Sequence, residues 1–326
     1  MLFVALLLAS FVPLLGGADL VVRGSSAVAR RLNVSPLVVG LTLVAMGTSA
    51  PELVINLSAA FAGQDSIAVG NVLGSNIFNV AVVLGVLAII MPLPISRNTT
   101  WAEIPLALLA AVVLFVVMAD RFLNGSAIDV ITRSEGILLL SFFGIFLAYT
   151  VQRRRGDTGE LLWETPSTPS SLDRSLPLAL VVAIAGFALL ALGGRGVVAG
   201  AVGTASLLGV PEYIIAVTVV AIGTSLPELV TSLVAGARGN TDLAVGNIIG
   251  SNIFNVFLVL GATAAIRPVA APHQPVDHAV HLVLTGLLFL FVFTGPGRQI
   301  QRWEGLILVL VYIAYMTMLV ITTIPG

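Results

Sequence analysis

Residues 45–85 read AMGTSAPELVINLSAAFAGQDSIAVGNVLGSNIFNVAVVLG, and residues 221–261 read AIGTSLPELVTSLVAGARGNTDLAVGNIIGSNIFNVFLVLG. The two stretches align without a gap at an offset of 176, and 25 of the 41 positions are identical. Each copy holds one carboxylate, Glu52 or Glu228, inside an otherwise apolar run. An ionised side chain in such a run is costly, so a duplicated one points to a use for the charge.

The rest of the chain says where that charge sits. Hydrophobic residues make up 58% of the sequence and charged residues 10%, with a mean hydropathy of +1.07, which places it among membrane proteins. Apolar runs of about twenty residues recur along the length, as bilayer-spanning helices require. They centre on residues 2–20, 34–62, 66–90, 101–119, 133–151, 177–199, 210–236, 243–266, 278–294 and 304–323. The absence of Cys removes disulfides, thiolate catalysis and Cys-ligated metals. A net charge of -1 argues against nucleic acid as a partner.

The first span lacks the basic start of a signal peptide, and its tail GGADLVVRG aligns with GGRGVVAG at 193–200. Gly17, Val21, Val22 and Gly24 thereby match Gly193, Val197, Val198 and Gly200 at the same offset of 176. The repeat therefore extends to whole halves. Residues 1–151 form a first five-helix repeat, 152–175 a linker, and 176–326 a second five-helix repeat. Five is odd, so the second half enters the membrane from the opposite side. The expected fold is an all-α polytopic membrane protein with ten transmembrane helices in two inverted five-helix repeats.

Arginine placement orients it. With the N-terminus outside, eleven arginines fall inside, among them Arg23, Arg30, Arg31, Arg238 and the Arg153–Arg155 run; Arg121, Arg133, Arg195 and Arg267 fall outside. That satisfies the positive-inside rule, with both termini outside and the Pro- and Ser-rich linker in the cytoplasm. Helical spans exclude an outer-membrane barrel, so the expected location is an inner membrane.

In GTSAPE and GTSLPE, a proline follows Gly-Thr-Ser inside a span. Proline removes a backbone hydrogen bond and collides with the carbonyl four residues back, disturbing the carbonyls near Gly47 and Gly223. In lipid such carbonyls need a partner, and a cation is one. Thr48 and Glu52 are i and i+4, as are Thr224 and Glu228, so each pair is expected on one helix face. Two carboxylates match one divalent ion in charge, and oxygen-only ligands suit Ca²⁺ better than Mg²⁺ or Zn²⁺. In GNVLGSNIFN and GNIIGSNIFN, Ser75 and Asn79, and Ser251 and Asn255, share the i, i+4 spacing. The GxxxG pairs Gly70/Gly74 and Gly246/Gly250 would let this helix press on its neighbour.

These motifs resemble the α-repeats of the Na⁺/Ca²⁺ exchangers, of the cation/Ca²⁺ antiporter superfamily, and are most similar to its short prokaryotic members. The resemblance implies Na⁺ and Ca²⁺ sites built from Ala45 (carbonyl), Thr48, Ser49, Glu52, Ser75 and Asn79 in the first repeat. In the second it implies Ala221 (carbonyl), Thr224, Ser225, Glu228, Ser251 and Asn255. Some relatives have Asp at the position of Asn255, so this site carries two formal negative charges. The implied activity is exchange of Na⁺ for Ca²⁺ by alternating access, with spans one and six as the moving pair. The ions are substrates, no cofactor is implied, and the lipid bilayer is the remaining partner. No feature of the sequence sets an oligomeric state.

An H⁺-coupled divalent-cation antiporter is the nearest other reading, since buried carboxylates carry protons. An intramembrane hydrolase using the Glu pair as acid and base lacks an HExxH motif, Cys, or any His near them. A passive channel fits inverted repeats poorly. Asp19 and Arg195, equivalent in the repeat, read as interfacial anchors, with a role in gating as the sharper reading. His273, His278 and His281 read as solvated loop residues. Glu103, Glu135, Glu212 and Glu304 are expected at helix starts, and Asp65 and Asp242 as solvated caps.

Overall fold

The computed structural model describes residues 2–97, 99–153, 172, 175–209, 221–271, 275–294 and 297–323. In order, the elements are α1 (Leu2–Leu32), α2 (Pro36–Thr48), α3 (Ala50–Phe61), α4 (Asp65–Ile90), β1 (Leu93–Pro94), α5 (Thr99–Val117), α6 (Asp120–Asn124), β2 (Asp129–Ile131) and α7 (Arg133–Arg153). The second half gives α8 (Leu176–Leu207), α9 (Ala221–Thr224), α10 (Leu226–Ala237), α11 (Thr241–Ile266), β3 (Val269–Ala271), α12 (Pro275–Phe291), β4 (Gln299–Ile300) and α13 (Arg302–Thr323).

Among the described residues, seven helices are long and apolar enough to cross a membrane, and α2–α3 makes an eighth if taken as one bent span. The two other expected spans fall on the 17-residue α12 and on α9–α10, which follow residues 210–220 outside the description. The linker is likewise almost wholly outside it. Spans one and six are longer than expected: α1 has 31 residues and α8 has 32. The charges that seemed to close them, Asp19, Arg23 and Arg195, do not end a helix. The helices also run through the glycines beside these charges, Gly16, Gly17 and Gly24 in α1 and Gly193, Gly194 and Gly196 in α8, because several of those glycines pack against the facing helix.

The chain divides into two compact units. The first holds residues 1–48 and 144–250, the second 49–143 and 251–326. Each takes segments from both sequence halves, so the units cut across the repeats.

In the first unit α1 and α8 lie antiparallel along their length. A Cβ on Gly17 would sit 2.6 Å from the Leu190 nitrogen, and one on Gly193 would sit 2.5 Å from the Leu14 nitrogen. Gly24 meets Ala183 and Gly200 meets Leu7 in the same manner. Leu14 and Leu190 are themselves 176 apart, as are Leu7 and Ala183. Each contact therefore recurs with the two helices exchanged, and equivalent helices running antiparallel is what inversion of the repeat means. The glycines are required here because any side chain would collide with the facing backbone. The second GxxxG acts likewise: a Cβ on Gly246 or Gly250 would lie 2.7 or 2.8 Å from the Leu37 or Leu41 carbonyl of α2. The residues equivalent to Leu37 and Leu41 for the first GxxxG, 213 and 217, are outside the description.

The second unit shows the same exchange. Strand β1 pairs antiparallel with β4 (Leu93 opposite Ile300), and β2 with β3 (Ile131 opposite Val269). Helix α7 packs through Gly136 on Gly261, and α13 through Gly305 on Gly85. Helices α7 and α13 begin RSEG and RWEG, an equivalence at an offset of 169 that the constant offset of 176 conceals. Both start with a carboxylate reaching back: Glu135 Oε2 accepts from the Thr132 N–H at 2.7 Å, and Glu304 Oε2 from the Gln301 N–H at 2.6 Å. With the Glu135 N–H donating to Thr132 Oγ1 at 3.3 Å, the first is a full capping box and the second is half of one, which gives these two glutamates the helix-start role expected of them. Exposed apolar side chains such as Ile137, Ile145, Leu306 and Ile313 line the outer faces of α7 and α13, as a lipid-facing surface requires.

Candidate cation site

The two Gly-Thr-Ser-x-Pro-Glu motifs break their helices instead of kinking them. The axis turns by 43° between α2 and α3 at Ser49. Ser49 has φ −86° and ψ 4°, and Ser225 has φ −92° and ψ 9°, so both leave the helical region at the same motif position. Pro51 and Pro227 fall in the first turn of the next segment, where the missing N–H costs least. Helix bonding resumes with the Leu53 N–H on the Ser49 carbonyl (3.2 Å) and the Leu229 N–H on the Ser225 carbonyl (3.1 Å). This corrects the expectation that Thr48 and Glu52, or Thr224 and Glu228, share one continuous face. The i, i+4 rule fails across a residue with ψ near zero.

The first unit contains Ala45, Thr48, Ala221, Thr224, Ser225 and Glu228 of the expected set. Glu228 is 0% exposed. The Thr48 hydroxyl is shared between the Ala45 carbonyl at 3.3 Å and Asn247 Oδ1 at 3.1 Å. Asn247 Nδ2 donates to Ser232 Oγ at 3.0 Å and lies 3.5 Å from the Glu228 carbonyl. Asn247 thus ties the ends of both motifs together. Ser225 Oγ is buried with no hydrogen-bond partner, as is Thr231 Oγ1. Ala221 and Thr224 open and close α9, and Thr224 is half-buried.

The second unit contains Ser49, Glu52, Ser75, Asn79, Ser251 and Asn255. Glu52 is 0% exposed, and the others are also buried. Asn79 and Asn255 each open a π-helical stretch, Asn79–Leu84 and Asn255–Leu260. Such widenings inside α-helices recur at functional sites. Ser75 Oγ, both side-chain atoms of Asn79, and Asn255 Oδ1 are buried without a hydrogen-bond partner. Orphaned polar atoms of this kind are rare in native interiors and call for an explanation. Four of the twelve expected residues carry them (Ser75, Asn79, Ser225 and Asn255), and each offers at least one oxygen to a cation.

Several polar residues next to this set were not singled out from sequence. Asn247 is one. Asn76 and Asn252 are a second case, buried and hydrogen-bonded to one another's backbone. A third is a repeated brace: Asn71 donates to Asn56 Oδ1 at 2.7 Å, matching the bond from Asn247 to Ser232 176 residues later. Asn71 and Asn76 recur unchanged in the second copy of the motif, and that identity was the available signal.

The remaining polar residues depart from expectation in places. His278 and His281 are buried in α12, with His278 edge-on to Phe115 at 6.2 Å, and are not solvated loop residues. Helix α12 starts at Pro275, ahead of both histidines, and its inner face takes them inward. His273 and Glu212 lie outside the described residues. Glu103 is buried in the opening π-helical turn of α5. Asp242 is exposed, but Asp65 accepts from the Ala270 N–H at 3.1 Å and lies 3.9 Å from Arg267 Nη2. Asp19 pairs with Arg23 (2.9 Å) on its own helix and with Arg238 just past α10, so it is an ion-paired anchor.

Comparison with known proteins places this architecture. The chain is 40% identical over 322 residues to the putative antiporter CaxA of Alkalimonas amylolytica, covering 96% of this chain and 97% of that one. It is 31% identical over 340 residues to the sodium/calcium exchanger MaX1 of Methanosarcina acetivorans, with 96% and 97% covered. Its structure is similar to the sodium-calcium exchanger NCX_Mj soaked with 10 mM Na⁺ and zero Ca²⁺. That match has a TM-score of 0.81 at 32% identity and covers 97% of this chain and 98% of that one. The family model for sodium/calcium exchanger proteins matches residues 2–152 and 178–321. With apolar spans, an inverted repeat and duplicated buried carboxylates, the chain is an integral membrane protein that belongs to the sodium/calcium exchanger protein family.

Proposed function

We propose that this protein is a secondary transporter that exchanges Na⁺ for Ca²⁺ by alternating access, with no enzymatic reaction and no resident cofactor. The observation that carries the reading is the duplicated buried carboxylate, Glu228 in the unit that holds the orphaned Ser225 hydroxyl and Glu52 in the unit that holds the orphaned groups of Ser75, Asn79 and Asn255. Each family relative named above as an exchanger supports the choice of ions. The ligand set is Ala45, Thr48, Ser49, Glu52, Ser75 and Asn79 with Ala221, Thr224, Ser225, Glu228, Ser251 and Asn255.

The coupling follows from charge. Two bare carboxylates in an apolar interior oppose passage through a closed state. Two negative charges are neutralised either by Na⁺ ions or by one Ca²⁺, and not fully by both at once. Only a loaded site then changes its side of exposure, which links the two fluxes. Helices α1 and α8, locked together through their glycines, act as the moving pair. The protein sits in a prokaryotic cytoplasmic membrane with both termini outside and the linker at 152–175 inside, on the arginine distribution.

Glu52→Gln and Glu228→Gln test this. Each keeps the volume and removes the charge, so each abolishes Na⁺-dependent Ca²⁺ uptake while the protein remains folded by size-exclusion chromatography. Retained exchange in either folded variant contradicts the proposal.

A further inference from the structure

The amide of Asn255 has a defined orientation, and the residue that imposes it is Asn76. An asparagine side chain is an acceptor at one end and a double donor at the other, so as a cation ligand it works only when its oxygen is turned to the ion. Asn255 Nδ2 donates to Asn76 Oδ1 at 3.0 Å, and Asn255 Oδ1 is buried with no hydrogen-bond partner. Asn76 is itself fixed. Its Nδ2 donates to the Asn252 carbonyl at 3.3 Å, which leaves only its oxygen to face Asn255. The Asn252 side chain returns the bond to the Asn76 carbonyl at 3.4 Å. The order of constraint therefore runs from the Asn252 carbonyl through Asn76 to Asn255. The first-repeat counterpart differs: neither side-chain atom of Asn79 is bonded, and Asn252 Oδ1 has no partner.

We infer that Asn76 is a positioning residue for cation binding: it holds the Asn255 amide with its oxygen free for the ion. This rests on the proposal above that Asn255 is a ligand. Outer partners that orient a ligand are typically worth about 10–100-fold in ion affinity. A carboxylate at position 255 needs no such orientation, because both of its ends are acceptors.

The experiment measures KM for Na⁺ and for Ca²⁺ in proteoliposomes for the wild type and five variants. Asn76→Ala raises KM for at least one ion by roughly tenfold. In an Asn255→Asp background the same Asn76→Ala substitution raises it by less than about threefold, because the orientation is no longer needed. Asn76→Asp keeps an acceptor for Asn255 Nδ2 and loses only the donor to Asn252, so KM stays below that of Asn76→Ala. An equal rise from Asn76→Ala in both backgrounds overturns the inference, since a merely structural role is indifferent to residue 255. If Asn76→Ala does not fold, a KM in Asn76→Asp raised tenfold overturns it alone. Asn255→Ala separates the two levels. If it leaves both KM values unchanged, Asn255 is no ligand and the underlying proposal fails. If it raises KM while folded Asn76→Ala does not, only the positioning role fails.

Discussion

Asn76 and Asn252, equivalent residues 176 positions apart, each donate a side-chain amide to the other's backbone carbonyl, at 3.3 and 3.4 Å. A contact in which residue i meets its own counterpart reciprocally is the signature of a two-fold relation. Here that relation is internal to one chain, and it joins the two copies of the GSNIFN motif. The exchange of partners between α1 and α8, and the crossed pairing of β1 with β4 and β2 with β3, repeat it elsewhere. Each repeat therefore completes its packing with pieces of the other, which explains why neither sequence half forms a compact unit by itself.

The glycines between α1 and α8 are predicted to be intolerant. Gly17→Val and Gly193→Val each place a side chain against backbone atoms that cannot move aside separately. The expected loss is about 1–3 kcal/mol of stability, read as a lowered Tm in detergent or nanodiscs. An unchanged Tm for both would mean that the helices do not approach this closely.

The two helix-start carboxylates are predicted to differ in cost. Glu135 is half-buried and accepts only from exposed Thr132, so Glu135→Ala loses about 0.5–1 kcal/mol, a typical cap. Glu304 is fully buried and accepts from the exposed Thr294 hydroxyl as well as the half-buried Gln301 N–H, so its removal opens a cavity and leaves the Gln301 donor unmet. Glu304→Ala should cost about 2 kcal/mol or more. Thermal unfolding of the two variants side by side checks the order.

The ion pair of Asp19 with Arg238 is partly exposed on both sides. Such pairs contribute about 0–1 kcal/mol, and Arg23 remains to compensate Asp19. Arg238→Ala should therefore shift the Tm only slightly, and less still at high salt. If transport rates change while stability does not, the pair acts in gating.

Ca²⁺ should stabilise the folded protein against heat. A ligand that binds only the native state adds about 2.7 kcal/mol at one hundred times its Kd. Glu228→Gln should abolish that shift, and Zn²⁺ should not substitute, because the donors are all oxygens. A Ca²⁺-dependent rise in Tm that survives in Glu228→Gln would place the ion elsewhere.

Much of this was legible because repetition supplies its own control. One kinked proline beside one Glu is ambiguous, whereas two at the same offset point to a candidate site, and Ser75, Asn79, Ser225 and Asn255 of the residues expected there carry buried orphaned atoms. The helix ends were less legible. Asp19 and Arg23 look like boundary charges, but they pair with each other and let α1 run on to Leu32. The Thr48–Glu52 spacing misled because helical periodicity assumes an unbroken helix, and Ser49 breaks it. His278 and His281 are illegible as buried residues because polarity beside a loop suggests solvent, whereas α12 buries both. The equivalence of Glu135 with Glu304 was hidden by a seven-residue change of offset. Asn76 and Asn247 were in plain view, but their partners are far away in the chain, and no periodicity reveals such bonds.

The most direct test is Ca²⁺ uptake by proteoliposomes loaded with Na⁺ and diluted into Na⁺-free or Na⁺-equal buffer, with a pH gradient imposed in a parallel set. The account predicts uptake only where Na⁺ runs outward, and none in Glu52→Gln vesicles. Uptake driven by the pH gradient, with no dependence on Na⁺, would contradict it and make protons the coupling ion.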